Sequence, residues 1–155
     1  MRFDEAALGA YYRRDSHTAE AMTTTASASG ITGLRQIALT VSDVAKATAF
    51  YRDALGLPFL FAAGPNLAFL DVGGVRLMLS TPEGDFTAGK GAMHYFKVAD
   101  IQGAHAAMVA RGVVFGGAPH LIAKMPDHDL WLAEFADPDG NPLALMSEVV
   151  IESPR

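Results

Sequence analysis

The 155-residue chain contains no cysteine, a single tryptophan and little positive charge. Without thiols it can form neither disulfides nor thiolate metal sites. No apolar stretch approaches the ~18–20 residues of a membrane-spanning helix, so no membrane partner is expected. Twelve Lys and Arg stand against seventeen Asp and Glu, a net charge of −5. Nucleic-acid surfaces need clustered Lys and Arg, so this balance argues against a nucleic-acid partner. Half the residues are apolar and 19% are charged, the composition of a globular chain. The length suffices for one domain, or for two small modules sharing a core.

Nor is a secretory signal expected. Residues 1–21 carry scattered charges, Gly9 interrupts their longest apolar run, and no cleavage motif follows. Thr23 to Gly30 is small, polar and low in complexity, which reads as a linker. Residues 1–30 are therefore expected to be a disordered extension, with Met22 the more natural first residue. The protein is expected to be cytoplasmic.

What is present is a repeat. From Gln36 to Val41, Ile37, Leu39 and Val41 alternate with Gln36, Ala38 and Thr40, the period of a half-buried strand. Asp43 offers a capping carboxylate just before Val44, Ala47, Tyr51 and Leu55 recur at helical spacing, and Gly56 ends the helix. A second copy runs from Ala92 to Gly112, where Val98-Ala99-Asp100-Ile101 matches Val41-Ser42-Asp43-Val44. Gly74 to Ser80 is echoed in the same way by Gly140 to Met146. Two βαβββ modules in tandem account for both echoes.

Further strands are expected at Leu57 to Ala62, Leu67 to Val72 and Val75 to Ser80. The second module adds Met93 to Val98, Val113 to Phe115 continuing through Leu121-Ile122-Ala123, Leu130 to Ala136, and Leu143 to Ser147. Thr81 to Gly91 links the modules, and Asp137-Pro138-Asp139-Gly140 is a strong turn signal. The expected domain is residues 31–150, with module one at 31–82 and module two at 91–149. Its class is α+β.

The paired modules, the FYRDALGL run from Phe50 and FADPDGNPLALM from Phe135 resemble the vicinal oxygen chelate superfamily. That group includes glyoxalase I, bleomycin-resistance proteins, extradiol dioxygenases and methylmalonyl-CoA epimerase. The resemblance implies that the modules form a half-open mixed β-barrel around a cavity, and that two chains form a homodimer. It also implies up to four divalent-metal ligands, at positions that fall on Gln36, Met78, Met93 and Ala144. Gln36 alone suits a hard or borderline ion, since thioethers are soft and alanine has no donor. No metal or other cofactor is therefore expected, with Ni, Zn, Mn or Fe the alternative.

By strand alternation the cavity would be lined by Gln36, Ala38, Thr40, Met78, Ser80, Met93, Tyr95, Lys97, Ala144 and Met146. A methionine-rich wall with a few polar groups suits a small, partly apolar molecule. The same side chains could instead fill a closed core, with Lys97 extending to solvent. Trp131 and Phe135 could be lining or ordinary core. His94 falls on the helix-facing side with Phe96 and Val98, His105 sits mid-helix beside the apolar stripe of Ala104 and Met108, and His120 and His128 fall on a loop and a hairpin. Tyr95 or Lys97 would be the candidate bases of a metal-free enzyme, but no catalytic residue is assigned.

The expected function is small-molecule binding of the glyoxalase/bleomycin-resistance type, at a degenerate metal site. The alternatives are a metal-dependent lyase, epimerase or dioxygenase with displaced ligands, and a structural or regulatory module whose cavity is closed.

Overall fold

The computed structural model describes residues 30, 31 and 33–151, so the extension expected over 1–30 lies almost wholly outside the described residues. Module one contributes β1 (Gln36–Thr40), α1 (Val44–Ala49) running into a π-helical turn (Phe50–Ala54), β2 (Phe59–Ala62), β3 (Leu67–Val72) and β4 (Val75–Ser80). Module two contributes β5 (His94–Lys97), α2 (Ile101–Ala110), β6 (His120–Lys124), β7 (His128–Ala136) and β8 (Pro142–Val150). Each module is one four-stranded sheet, ordered β1-β4-β3-β2 and β5-β8-β7-β6. In each, the first strand runs parallel to the last and the other pairs are antiparallel. This is the expected α+β architecture, and the sheets remain open.

Both helices begin as the sequence requires. Asp43 accepts a hydrogen bond from the Lys46 N–H at 3.0 Å, and Asp100 from the Gly103 N–H at 3.0 Å. Each helix gives way to a glycine with positive φ, Gly56 at 78° and Gly112 at 91°. The first helix holds one residue more, since Gly56 follows its capping aspartate by 13 positions and Gly112 by 12. A π-helical turn absorbs a single inserted residue without breaking the helix. The expected helix over Val44 to Leu55 therefore widens at Phe50, and Tyr51 lies in the widened turn.

The outer strands carry a matching irregularity. Register shifts between Phe59 and Phe61 in β2, and between Leu121 and Ala123 in β6. Bulges of this kind bend the outer strand and increase sheet twist, which curls each open sheet. The expected strand at Val113 to Phe115 is reduced to one bridge, Phe115 to Phe135. Gly116, Gly117 and Pro119 follow at once, and a run of turn formers cannot extend a ladder. The sixth strand begins at His120 instead.

The helices cover one side of both sheets, and the core is shared between modules. Leu39, Val41, Tyr51, Leu70, Leu77 and Leu79 pack in one cluster with Ile101, Met108, Phe135, Leu143 and Leu145. Truncating one such leucine to alanine costs about 2–5 kcal/mol. A buried polar clamp joins the modules beside it. The Tyr51 hydroxyl donates to Asp137 Oδ2 at 2.9 Å, and Asn141 Nδ2 donates to the same oxygen at 2.8 Å. Asp137 Oδ1 accepts the N–H groups of Asp139 and Asn141, both at 2.9 Å, as expected for that turn. Asn141 Nδ2 also reaches the Thr40 carbonyl at 3.2 Å, and the Ser42 N–H donates to Asp139 Oδ2 at 3.0 Å. Burial, together with the charge of Asp137, pushes the Tyr51 hydroxyl far above its ordinary pKa, so it stays a donor.

Candidate ligand-binding face

The side of each sheet away from the helices holds the residues singled out in the sequence. In module one the parallel register pairs Gln36 with Arg76, Ala38 with Met78, and Thr40 with Ser80. The antiparallel neighbour β3 continues two of these rows with Phe69 opposite Met78 and Leu67 opposite Ser80. Alternation therefore places all five expected residues of this module on one face. Gln36 Nε2 approaches Met78 Sδ at 3.6 Å, joining two of the positions where the resemblance places metal ligands.

Ala38, Thr40, Met78 and Ser80 line a cleft of about 210 Å³, to which Phe86 from the inter-module linker also contributes. A second cleft of about 390 Å³ adjoins it, sharing Ala38, Thr40 and Phe86 and reaching Lys90 and His94.

In module two the rows run Tyr95–Ala144–Glu134 and Lys97–Met146–Leu132–His120. Ala144, Met146 and Leu132 make the middle of this face. Tyr95 and Lys97 stand along one side and are exposed, Tyr95 at 50%. On the other side His120 Nε2 lies 3.7 Å from Glu134 Oε1, while its Nδ1 faces the Ala118 carbonyl at 3.4 Å. Ala144 itself is fully buried. Met93 and Tyr95 line a further cleft of about 350 Å³ between the modules, and Lys97 borders one of about 380 Å³ near Arg111. Four of the ten residues thus share one cleft, three border others, and Gln36, Ala144 and Met146 line none of these four.

Glu134 is not among the residues that the sequence singles out, and His120 lies in β6 and not on the expected loop. The signal for Glu134 was alternation along β7, where Leu130, Leu132 and Glu134 oppose Trp131, Ala133 and Phe135. Trp131 and Phe135 are core residues, Phe135 being 6% exposed and Trp131 packed against the cluster. His94 pairs with Leu143 on the helix-facing side, as alternation requires. Burial lowers its pKa, which holds the imidazole neutral. The His105 ring lies 4.4 Å from Phe115, and His128 pairs with Asp127 at 2.8 Å.

The four positions where the resemblance places metal ligands carry an amide, two thioethers and a methyl group. The amide nitrogen of Gln36 turns toward a sulfur. Among the described residues, no three His, Cys, Asp or Glu gather as a metal site would need. Among them, too, no helix is long and apolar enough to cross a membrane.

Residues 33–145 match the family model described as the Glyoxalase/Bleomycin resistance protein/Dioxygenase superfamily. No curated protein matches the chain. Several solved structures share the fold. A superfamily member from Sphaerobacter thermophilus is 26% identical with a TM-score of 0.63, over 76% of this chain and 98% of its own. A lactoylglutathione lyase from Agrobacterium tumefaciens is 22% identical with a TM-score of 0.63, over 76% and 94%. An antibiotic binding protein from a Streptomyces species is 22% identical with a TM-score of 0.63, over 76% and 97%.

Proposed function

Since the chain belongs to the glyoxalase/bleomycin resistance protein/dioxygenase superfamily, we propose that it is a small-molecule binding protein that holds no catalytic divalent ion. The observation that carries this reading is the donor set at the four usual positions. Gln36, Met78, Met93 and Ala144 offer one hard donor between them, and a divalent ion needs at least three or four. The residues present do not fit the metal. What they do fit is a partly apolar ligand laid over Ala38 and Met78 and fixed by the Thr40 and Ser80 hydroxyls. The Streptomyces antibiotic binding protein is a fold relative with a function of this class.

The working unit in this reading is a homodimer. Ile122, Met125, Val149, Val150 and Ile151 are all more than 40% exposed around the β6–β7 hairpin and the end of β8. Apolar residues grouped in this way call for cover, and a symmetric second copy is the commonest source.

The test combines metal analysis with a melting-temperature screen. Purified protein soaked with nickel, zinc, manganese or iron(II) is expected to keep well under one ion per chain after dialysis. Small, partly apolar compounds are expected to raise its melting temperature, because a ligand that binds only the folded state stabilises it. One ion retained per chain would overturn the reading in favour of a lyase, epimerase or dioxygenase. A screen with no stabilising compound would favour a closed structural module.

A further inference from the structure

We propose that Phe86 is a ligand-contacting residue, and that the linker between the modules forms the outer wall of a cleft for a planar aromatic molecule, uncharged or singly cationic. This rests on the ligand-binding reading above and gives the ligand a chemical class. The linker is tethered at both ends. At its start the Thr81 N–H donates to the Asn66 carbonyl at 3.4 Å. At its end Gly89, with φ +79°, presses against the Asp139 carbonyl so closely that any Cβ there would collide. Two tight turns shape the span between, with the Phe86 N–H on the Glu83 carbonyl at 3.4 Å and the Lys90 N–H on the Thr87 carbonyl at 3.3 Å.

This span leaves Phe86 73% exposed while it lines both clefts over β1. A phenyl ring left in water forgoes the favourable transfer that burial would give, and a ligand can recover it. The sheet strands contribute Ala38 and the Met78 thioether to the smaller cleft, also apolar and without bulk at Ala38. A flat ring system fits against such surfaces, with Thr40 and Ser80 hydroxyls to meet its polar edge. The smaller cleft, about 210 Å³, is below the ~300–1,000 Å³ usual for ligand sites, and the adjoining one is about 390 Å³. Both are lined by Phe86, Ala38 and Thr40, so the two clefts adjoin along one stretch of wall.

Charge narrows the ligand further. Glu83 is the one charged residue on the smaller cleft, and Asp85 and Lys90 offset each other on the larger. An anion would face Glu83 across a partly apolar gap, whereas a neutral molecule or a cation would not be opposed.

Proflavine, a planar cation, is the probe, and cyclohexylamine is the non-planar control of the same charge. The protein is expected to bind proflavine and to ignore cyclohexylamine. Phe86→Ala is expected to weaken proflavine binding by about 5–10-fold, the scale of one aromatic stack, without lowering the melting temperature. Phe86→Trp is expected to restore binding, with quenching of the new indole emission on titration.

The proposal is overturned if Phe86→Ala binds proflavine as wild type does while Ala38→Trp, which fills the cleft floor, abolishes binding. In that case the cleft binds and the linker is not its wall. Wild-type binding unaffected by either variant also overturns it, by placing the dye elsewhere. A wild type that binds no proflavine overturns the ligand class. The broader ligand-binding reading falls only if the compound screen is empty as well.

Discussion

Tyr51→Phe removes one oxygen from the clamp between the modules, and its effect can be worked out from the clamp's geometry. The lost bond is a buried hydroxyl donating to a carboxylate at 2.9 Å, a class worth about 1.5–3 kcal/mol. Asp137 keeps three other donors, from Asn141 Nδ2 and the N–H groups of Asp139 and Asn141. The loss should therefore sit at the low end, about 1.5 kcal/mol. Asp137→Ala is a different perturbation, because it takes the shared acceptor from four donors at once, including a fully buried phenol. Breaking a buried charged network from one side costs about 3–5 kcal/mol. Urea denaturation at neutral pH measures both variants and the double variant. In the double variant the phenol is no longer stranded, so the two losses should fall short of adding by more than about 1 kcal/mol. Losses that add to within about 0.5 kcal/mol would refute the clamp. An alkaline arm gives an independent check. The folded pKa of Tyr51 is raised, so its contribution is complete below the unfolded value of about 10 and is lost as pH climbs above it. Tyr51→Phe should flatten that alkaline decline.

Three further outcomes follow from single sites. Gly89→Ala puts a Cβ into the Asp139 carbonyl at a positive φ and should lower stability by at least about 1 kcal/mol, read as melting temperature; an unchanged value would show that the linker is not held there. Asp43→Ala and Asp100→Ala each remove a helix cap and should cost about 1 kcal/mol in urea titrations; a negligible loss at either would count against that cap. Burial lowers the His94 pKa, so the stability present above its unfolded value of about 6.5 is lost as pH falls through the lower folded value. His94→Gln should flatten the fall in melting temperature between about pH 7.5 and about pH 5, and parallel slopes would contradict the assignment.

The parts of the fold legible in the sequence are those where local chemistry leaves little choice. Asp43 and Asp100 each precede a helix-period run, and both cap helices. Ile37, Leu39 and Val41 alternate with polar or small residues, and they face the core. The strand expected at Val113 to Phe115 shrinks to a bridge because β-forming residues mark a strand only if the chain can continue beside a partner, and Gly116-Gly117 prevents it. The π-helical turn was visible only as one surplus residue between Asp43 and Gly56. His120 opens β6 where a loop is expected, because the proline before it stands outside the strand and blocks no ladder bond.

The two modules also control for one another, because equivalent strand positions can be compared within one chain. On the helix side, Leu39 matches Phe96, Val41 matches Val98, Leu77 matches Leu143 and Leu79 matches Leu145, all apolar, and among these strand positions Ile37 against His94 is the exception, an imidazole that burial keeps neutral. On the helix-free side the equivalents are Gln36 and Met93, Ala38 and Tyr95, Thr40 and Lys97, Met78 and Ala144, Ser80 and Met146. No pair shares a residue type, and several exchange an apolar group for a polar one. If both faces merely filled a closed core, the demand for apolar bulk would apply to each module alike. The contrast supports a face whose halves do different work. Module one offers a small apolar floor with hydroxyls. Module two offers a phenol, an amine and the His120–Glu134 pair around Ala144, Met146 and Leu132. A ligand with one flat apolar part and one polar part would use both.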